Sequence, residues 1–281
     1  MSSSEPADSL PIPPDSTLGL IAGNGEFPLL VLDEARRRGV EVVALAIEGE
    51  TDSRIEDRGA TVHWIGLGEV SRCIKLFKKA GVNRAIMAGQ VKHKKIFRSL
   101  RPDPGLLRVL SRMKSRNTDA ILGAVADVLA EEGIQLLDST SLLRSWVATE
   151  GVLGKRKPSA GEKKDIAFGL RMAREIARLD VGQTVVVRGG AVVAVEAMEG
   201  TDETILRAGG IVSGGLTVAK VARPSQDMRF DVPVVGPRTI EVMADVGCTV
   251  LALQAERTLL LERETLVEKA NDSKIVVIGA V

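Results

Sequence analysis

Two segments in the second half of the chain carry clustered carboxylates, and the second of them alternates carboxylates with cations. The first spans residues 196–202 and includes Glu199; the second spans residues 220–233 and includes Lys220, Arg223, Gln226, Asp227 and Arg229. Proteins usually hold Mg²⁺ with one or two carboxylates together with substrate phosphates, and Arg and Lys clamp the same phosphates. The combination predicts metal-assisted attack on phosphorus, with Asp227 and Glu199 as candidate metal ligands.

Simpler interpretations of these carboxylates remain open. Asp202 is placed where it would cap a following helix. Asp227 has the residue type and setting of an Asx turn. Arg229 would pair with Asp231 at the surface.

A glycine turn, Gly23-Asn24-Gly25, lies between a predicted strand and a helix that begins near Pro28. Glycine lets the backbone approach a ligand closely, and a helix N-terminus offers free N–H groups to a phosphate. A dinucleotide fingerprint needs a third glycine where Pro28 stands. The pattern therefore favours a nucleotide- or phosphate-binding turn over a standard NAD site. A plain strand-to-helix turn is the alternative.

Gly89 and Gln90 follow another predicted strand, at 84–88. If that strand neighbours the first one, both loops open into the crevice where such sheets bind ligands. Gln90 would then bond a base or sugar; otherwise it is an ordinary loop glutamine.

Residues 92–116 carry nine cations against one acid, Asp103. Such a run suits phosphates or an anionic membrane surface, although a solvated charged face is the commoner outcome. Nucleic acid is disfavoured as a partner because the net charge is only +1 and aromatic residues make up 2% of the chain.

Strands alternate with helices along the whole chain, which predicts an α/β protein. We expect a disordered tail at 1–17, a Rossmann-like parallel-sheet domain at 18–143, a linker at 144–160 and a distinct α/β catalytic domain at 161–281. The first-domain strands are predicted at 18–22, 42–47, 60–65, 84–88 and 134–137. In the second domain a helix is expected near 162–179, with strands at 184–188, 191–196, 218–222, 250–253 and 274–278.

The cysteine count and the terminal sequence indicate a cytoplasmic protein. Cys73 and Cys248 are the only cysteines, which excludes a disulfide scaffold or a CxxC zinc site. The N-terminus has neither the basic nor the apolar region of a signal peptide, and we expect no membrane-spanning segment.

Three stretches of the sequence resemble one family, the UDP-2,3-diacylglucosamine pyrophosphatases of lipid A synthesis that are unrelated to the calcineurin-like enzymes. The stretches are 21–28 (IAGNGEFP), 196–202 (EAMEGTD) and 223–233 (RPSQDMRFDVP). The last is long and specific, and the resemblance runs from about Leu18 to the C-terminus.

The resemblance implies two domains, a homodimer and Mg²⁺-dependent release of UMP and 2,3-diacylglucosamine 1-phosphate (lipid X). It places the family's essential aspartate at Asp227, and water would attack the phosphorus nearer the sugar. Because the substrate carries two acyl chains, we expect transient contact with the inner leaflet of the inner membrane.

Two other functions stay open on the residues alone. An NAD(P)-dependent oxidoreductase would use the glycine turn with Glu48 as its ribose-binding acid. A non-enzymatic nucleotide-binding module would use the same turn without catalysis.

Overall fold

The structure is a computed structural model, and it describes Ile12 and residues 16–91, 103–112, 118–224 and 226–281. The chain forms two compact units. The first holds the chain up to Leu143 together with Asp227–Asp231, and the second holds Arg144–Gln226 and Val232–Val281.

The first unit contains a five-stranded parallel sheet. Its strands are β1 (Leu18–Ala22), β2 (Val42–Ile47), β3 (Thr61–Ile65), β4 (Arg84–Ala88) and β5 (Gln135–Leu136), in the order β3-β2-β1-β4-β5. The chain builds outward from β1 to β3 and then returns to the other side of β1. The strand order therefore reverses between β1 and β4, where open α/β sheets bind ligands.

Four helices are described in the first unit: α1 (Phe27–Arg37), α2 (Val70–Lys79), α3 (Pro104–Arg112) and α4 (Thr118–Glu131). A 3₁₀ turn covers Ser53–Arg58. Helix α2 shows why these segments are helical. Val70, Cys73, Ile74 and Phe77 recur at helical spacing and are all buried, while the rest of the helix is polar apart from Leu76. The stripe packs with α3 and α4 into one core on the sheet.

The second unit contains a six-stranded sheet in the order β6-β13-β11-β9-β7-β8. The strands are β6 (Gly151–Val152), β7 (Thr184–Arg188), β8 (Ala191–Val195), β9 (Leu216–Lys220), β11 (Cys248–Gln254) and β13 (Val276–Ala280). Strands β9, β11 and β13 are parallel, whereas β6, β7 and β8 pair antiparallel with their neighbours. A separate parallel pair joins β10 (Val234–Val235) to β12 (Leu259–Leu260).

Helices cover both faces of that sheet. Helix α5 (Ala160–Arg178) packs on one face, and α6 (Thr201–Ile211), α7 (Pro237–Asp245) and α8 (Arg263–Asp272) share the other core. Alternation along β7 shows the two faces, because Val185 and Val187 enter the α5 core and Val186 enters the opposite one. A capping box between Ser159 and Glu162 begins α5.

The expected fold class is confirmed: a parallel sheet in the first unit and a separate mixed sheet in the second. The segment 144–160, expected to be a linker, contains β6 and a 3₁₀ turn at Arg144–Trp146. Strand β6 is too short to show a period and is held by pairing with β13. Helix α3 lies inside the basic run, where the sequence analysis assigned no element.

Candidate functional site

Asp227 lies in a short segment, Asp227–Asp231, that belongs to the first unit although it follows β9 in sequence. The backbone N–H of Ser139 donates to Met228 O at 2.8 Å. The Ser139 hydroxyl lies 2.6 Å from Met87 O and 2.8 Å from Arg229 O. Met87 is the penultimate residue of β4, so the candidate catalytic residue lies at the edge of the sheet where β4 ends.

The Asp227 carboxylate is bound by Arg229. The guanidinium Nη2 lies 2.6 Å from Oδ2, and Nε lies 3.0 Å from Oδ1. The Arg229 backbone N–H also donates to Asp227 Oδ1 at 3.0 Å, which makes the Asx turn that the sequence left open. Arg229 forms its ion pair with Asp227, two residues earlier in the sequence. The partner expected from the sequence was Asp231.

Opposing effects set the charge of Asp227. Partial burial raises the pKa of its carboxyl, but the hydrogen bonds and charge of Arg229 outweigh burial, and the pKa lies below its ordinary value. The hydrogen bond to Asp227 raises the pKa of the Arg229 guanidinium, and the charge of Asp127 on α4 acts in the same direction. The site therefore holds an ionised carboxylate beside a fixed cation.

The two glycine loops meet each other directly. Strands β1 and β4 are neighbours, as the crevice hypothesis required. Asn24 N–H donates to Gln90 O at 2.7 Å, and Gln90 N–H donates to Asn24 O at 3.0 Å. A Cβ on Gly23 would lie 2.6 Å from Gln90 O, and one on Gly89 would lie 2.6 Å from Asn24 O. Close packing of the loops thus explains these two glycines.

Gly25 differs from its neighbours. Its φ is +95°, and a Cβ there would meet nothing within 4 Å. The residue is exposed at the start of α1, so its backbone is accessible to a ligand. Among the three predicted turn residues, Gly25 is the one whose surroundings suit close ligand approach.

Lys220, a predicted substrate contact, is buried in the second unit with 4% of its surface exposed. Its ammonium group donates to Thr201 Oγ1 at 2.7 Å, and that hydroxyl donates to Glu196 Oε1 at 2.9 Å. Glu196 is buried as well. This chain of polar groups ties the end of β9 to the first residue of α6.

The other candidates of the second unit lie in the segments around this buried chain. Glu199 accepts hydrogen bonds from backbone N–H groups and from Arg207, which lower its pKa. Arg223 pairs with Asp180 at 2.8 Å. Asp202 lies inside α6, whose N-cap is Gly200, and it accepts a hydrogen bond from Thr239.

Gln226 directly precedes Asp227 and is buried with 8% exposure. Its Oε1 accepts from the Arg223 N–H at 2.7 Å, whereas Nε2 has no partner within the described part of the chain. A buried side-chain amide seldom lacks a partner. The free Nε2–H groups are therefore donors suited to a ligand oxygen.

The predicted residues thus fall into two sets. Gly23, Asn24, Gly25, Gly89, Gln90, Asp227 and Arg229 belong to the first unit, and Glu199, Lys220, Arg223 and Gln226 belong to the second. Within the described residues, no group of three or more Asp, Glu, His or Cys side chains is arranged to hold a metal ion. One or two carboxylates completed by substrate phosphates is the way Mg²⁺ is commonly bound, and the ionised Asp227 fits that arrangement.

Sequence reasoning missed Ser139 and Asp127. Ser139 is a small residue that makes its contacts across about ninety positions of sequence. Asp127 is a polar residue on α4, and its charge acts on Arg229, which is distant in sequence. A pattern of local spacing carries no signal for either contact.

The cysteines and two cations of the basic run have simpler explanations. Burial raises the pKa of the Cys73 and Cys248 thiols to about 12 each, which keeps them protonated and unreactive. In the basic run, Arg108 and Arg112 form salt bridges with Glu131 and Glu132 of α4. The other seven cations, Lys92, Lys94, Lys95, Arg98, Arg101, Lys114 and Arg116, lie outside the described residues.

Among the helices that the structure describes, none is both long and apolar enough to span a bilayer.

Two family models match the chain in consecutive blocks. The LpxI N-terminal domain matches residues 17–146, and the LpxI C-terminal domain matches residues 149–278. The chain is also 32% identical over 274 residues to a Caulobacter vibrioides protein named UDP-2,3-diacylglucosamine pyrophosphatase LpxI. That alignment covers 93% of this chain and 96% of the relative.

Solved structures show only remote likeness. The biotin carboxylase domain of Hydrogenobacter thermophilus 2-oxoglutarate carboxylase is 16% identical, with 62% of this chain and 35% of that chain covered and a TM-score of 0.25. Rhizobium etli pyruvate carboxylase is 15% identical, with coverages of 73% and 16% and a TM-score of 0.28. Likeness at this level carries no argument about fold or function.

Proposed function

The chain belongs to the LpxI family, and from that membership we propose that it hydrolyses the pyrophosphate bond of UDP-2,3-diacylglucosamine in lipid A biosynthesis. The observation that carries the proposal is the 32% identity, over 93% of the chain, to a relative named for this activity. The same match favours a hydrolase over the oxidoreductase and the non-enzymatic module that the glycine turn left open.

The reaction is a water attack on phosphorus with UMP as the leaving group. The water oxygen bonds to the phosphorus nearer the sugar, and the bond from that phosphorus to the bridging oxygen breaks. The bridging oxygen and its electron pair leave with UMP, and the sugar keeps the other phosphate as 2,3-diacylglucosamine 1-phosphate. A proton from the water passes to a base or to solvent.

Asp227 is the residue we assign to the chemistry. Its carboxylate is held ionised, so it can take a proton from water or bind a cation without first losing a proton of its own. Mg²⁺ held by Asp227 together with the substrate diphosphate would neutralise charge as it develops on the phosphate oxygens. Glu199, the other predicted metal ligand, belongs to the second unit, where it accepts a hydrogen bond from Arg207. Arg229, already beside Asp227, supplies a second positive charge for the same phosphates.

Substrate recognition is assigned to the remaining candidates by their chemistry. The exposed backbone at Gly25 suits a phosphate at the start of α1. The unpartnered Nε2 of Gln226 suits a phosphate or carbonyl oxygen. The buried Lys220 holds the segment leading to Asp227 through its bond to Thr201, and reaches substrate only if that bond opens.

We place the enzyme in the cytoplasm as a homodimer, with transient contact to the inner leaflet. A substrate with two acyl chains resides in a bilayer, so the enzyme must work at its surface. The basic stretch 92–116 is the sequence feature that suits anionic lipid headgroups.

The direct test incubates the purified protein with UDP-2,3-diacylglucosamine and Mg²⁺ and detects UMP and lipid X. Carried out in ¹⁸O-water, the reaction should place the label in the lipid X phosphate. Absence of UMP, with the protein folded and at high enzyme concentration, would reject the proposed activity.

Asp227→Asn tests the catalytic assignment. The substitution removes the charge but keeps an oxygen able to accept the Arg229 N–H of the Asx turn. We expect turnover to fall by about 10²–10⁴-fold or more while the melting temperature changes little. Asp231→Asn, in the same turn, is the matched control and should retain turnover within about threefold. Comparable turnover by the two variants would refute the role of Asp227.

A further inference from the structure

Ser139 of the first unit makes hydrogen bonds to the segment Asp227–Asp231. Ser139 follows β5 and is completely buried, with 0% of its surface exposed. It reaches the segment twice: its backbone N–H donates to Met228 O at 2.8 Å, and its Oγ lies 2.8 Å from Arg229 O. The same Oγ lies 2.6 Å from Met87 O in β4.

The Ser139 hydroxyl has a single hydrogen, so its two carbonyl neighbours share one donor. Met87 O belongs to the sheet and Arg229 O belongs to the candidate catalytic segment. The hydroxyl therefore sits between the end of β4 and the turn that carries Asp227. Without it, two carbonyl oxygens would face each other across a buried gap.

The loop that presents Ser139 is itself held firmly. Asp138 Oδ1 accepts the Thr140 N–H at 2.7 Å and the Thr140 hydroxyl at 2.6 Å. Further along, Arg38 at the C-cap of α1 donates to Leu142 O at 2.8 Å, and it also donates to the Glu34 carboxylate at 2.6 Å. The loop thus connects α1, β4 and the segment Asp227–Asp231 through hydrogen bonds.

The internal hydrogen bonds of the segment are those of a turn. The N–H groups of Phe230 and Asp231 donate to Asp227 O at 3.2 and 2.9 Å, and the Arg229 N–H donates to the Asp227 carboxylate. These bonds shape the turn, whereas the Ser139 bonds connect it to β4.

We propose that Ser139 is a positioning residue that sets where the Asp227 carboxylate lies at the edge of the first sheet. Ser139 touches neither substrate nor metal in this role. It acts through the backbone of Met228 and Arg229. The effect of Ser139 on catalysis rests on the proposed function, whereas its effect on the position of the segment can be tested without any substrate.

The structural test is hydrogen exchange on the full chain, comparing Ser139→Ala with Ser141→Ala. Ser141 lies in the same loop, but its hydroxyl bonds to Asp138 O at 2.5 Å and no bond to the segment Asp227–Asp231 is described. We expect the amides of Arg229, Phe230 and Asp231 to exchange at least tenfold faster in Ser139→Ala, with the β1 and β4 amides unchanged. Ser141→Ala should leave all of them as in the wild type.

The catalytic test measures kcat and KM for UDP-2,3-diacylglucosamine in the same two variants. A misplacement of about 1 Å can cost about 10²-fold in rate, so kcat of Ser139→Ala should fall by 10- to 100-fold while KM stays within about threefold. A purely structural residue would lower the amount of folded protein and leave kcat per folded molecule unchanged.

Each outcome bears on the proposal. Unchanged exchange at 229–231, or faster exchange with normal kcat, overturns it. If Ser139→Ala does not fold, hydrogen exchange of the wild-type protein still tests the proposal. The Ser139 amide should then exchange as slowly as the amides of β4. Exchange of the Ser139 amide at the rate of an unfolded chain overturns the proposal. If the wild type lacks hydrolytic activity, the proposed function fails, and the exchange experiment still tests the contact.

Discussion

At Asp227, burial and an ion pair act on one carboxyl group in opposite directions. The sequence predicted a carboxylate among cations here but did not identify its partner, because turn geometry decides which of several nearby charges meet. Arg229 sits two residues away and closes on Asp227 through both its side chain and its N–H. The same cation that keeps Asp227 ionised therefore also occupies its oxygens.

Removing that cation should change the pH dependence of the reaction. Arg229→Gln removes the side-chain hydrogen bonds and the charge that lower the pKa of Asp227, so burial, which raises that pKa, is opposed only by the backbone N–H of residue 229. The carboxylate would then become protonated at a higher pH than in the wild type. We expect the acid limb of the kcat/KM profile to move to higher pH, on top of a lower maximum from the lost phosphate contact.

Arg223→Gln is the control for this experiment. Arg223 belongs to the same motif, but its guanidinium pairs with Asp180. Its loss should lower kcat/KM while leaving the acid limb where it is. An acid limb that stays fixed in Arg229→Gln, or moves equally in both variants, would show that Arg229 does not control the ionisation of Asp227.

Among the elements, the two glycine loops show that glycines with similar backbone angles have different roles. Gly89 has a φ of +89° and packs against the backbone of the opposite loop, where a Cβ would lie 2.6 Å from Asn24 O. Gly25 has a similar φ but open surroundings. The sequence presented both as ligand-binding glycines, since a motif records residue types and not the contacts around them.

Alanine substitutions should separate these roles. Gly89→Ala combines backbone strain with overpacking and should lower the free energy of unfolding by about 3 kcal/mol or more. Gly25→Ala should lower it by only about 1–2 kcal/mol, the cost of a left-handed backbone for a residue with a Cβ. Urea denaturation measures both.

Gly25→Ala should in addition weaken binding of UMP, measured by calorimetry. Gly39→Ala is the matched control, because Gly39 also has positive φ and open surroundings but follows the end of α1. It should lose stability as Gly25→Ala does and bind UMP normally. Equal UMP affinity in the two variants would make the Gly25 turn a structural feature alone.

The sequence predicted the regular elements well because their periods are local. The buried runs of β1, β2 and β7 and the apolar face of α5 are patterns within a few residues of one another. Strand β6 and helix α3 were missed, because β6 has two residues and depends on pairing with distant β13, and α3 lies in a segment dominated by charge. The placement of Asp227–Asp231 in the first unit was also unpredicted, since its contacts with Ser139 join residues far apart in sequence.

Across the whole molecule, charge is nearly balanced but locally uneven. The net charge is +1, yet residues 92–116 hold nine cations and one acid. An enzyme whose substrate lies in a membrane benefits from a surface of its own that is attracted to anionic lipid. Each Lys or Arg close to an anionic leaflet contributes about 1 kcal/mol, and the attraction is screened over about 8 Å at physiological salt.

We therefore expect the protein to co-sediment with anionic liposomes at low salt and to be released at high salt.

Changing Lys92, Lys94, Lys95 and Arg98 to Gln should weaken this binding by up to about 10³-fold at low salt, from four charges at about 1 kcal/mol each. The matched control changes Arg37, Arg72, Lys78 and Lys269 to Gln, all of which lie outside residues 92–116. It removes the same total charge from cations that already pair with Glu34, Glu69, Glu132 or Glu241. If the two fourfold variants lose binding equally, the net charge of the molecule is responsible and the stretch 92–98 is not a membrane contact. If the wild type does not sediment with anionic liposomes at low salt, the enzyme reaches its lipid by some means other than charge.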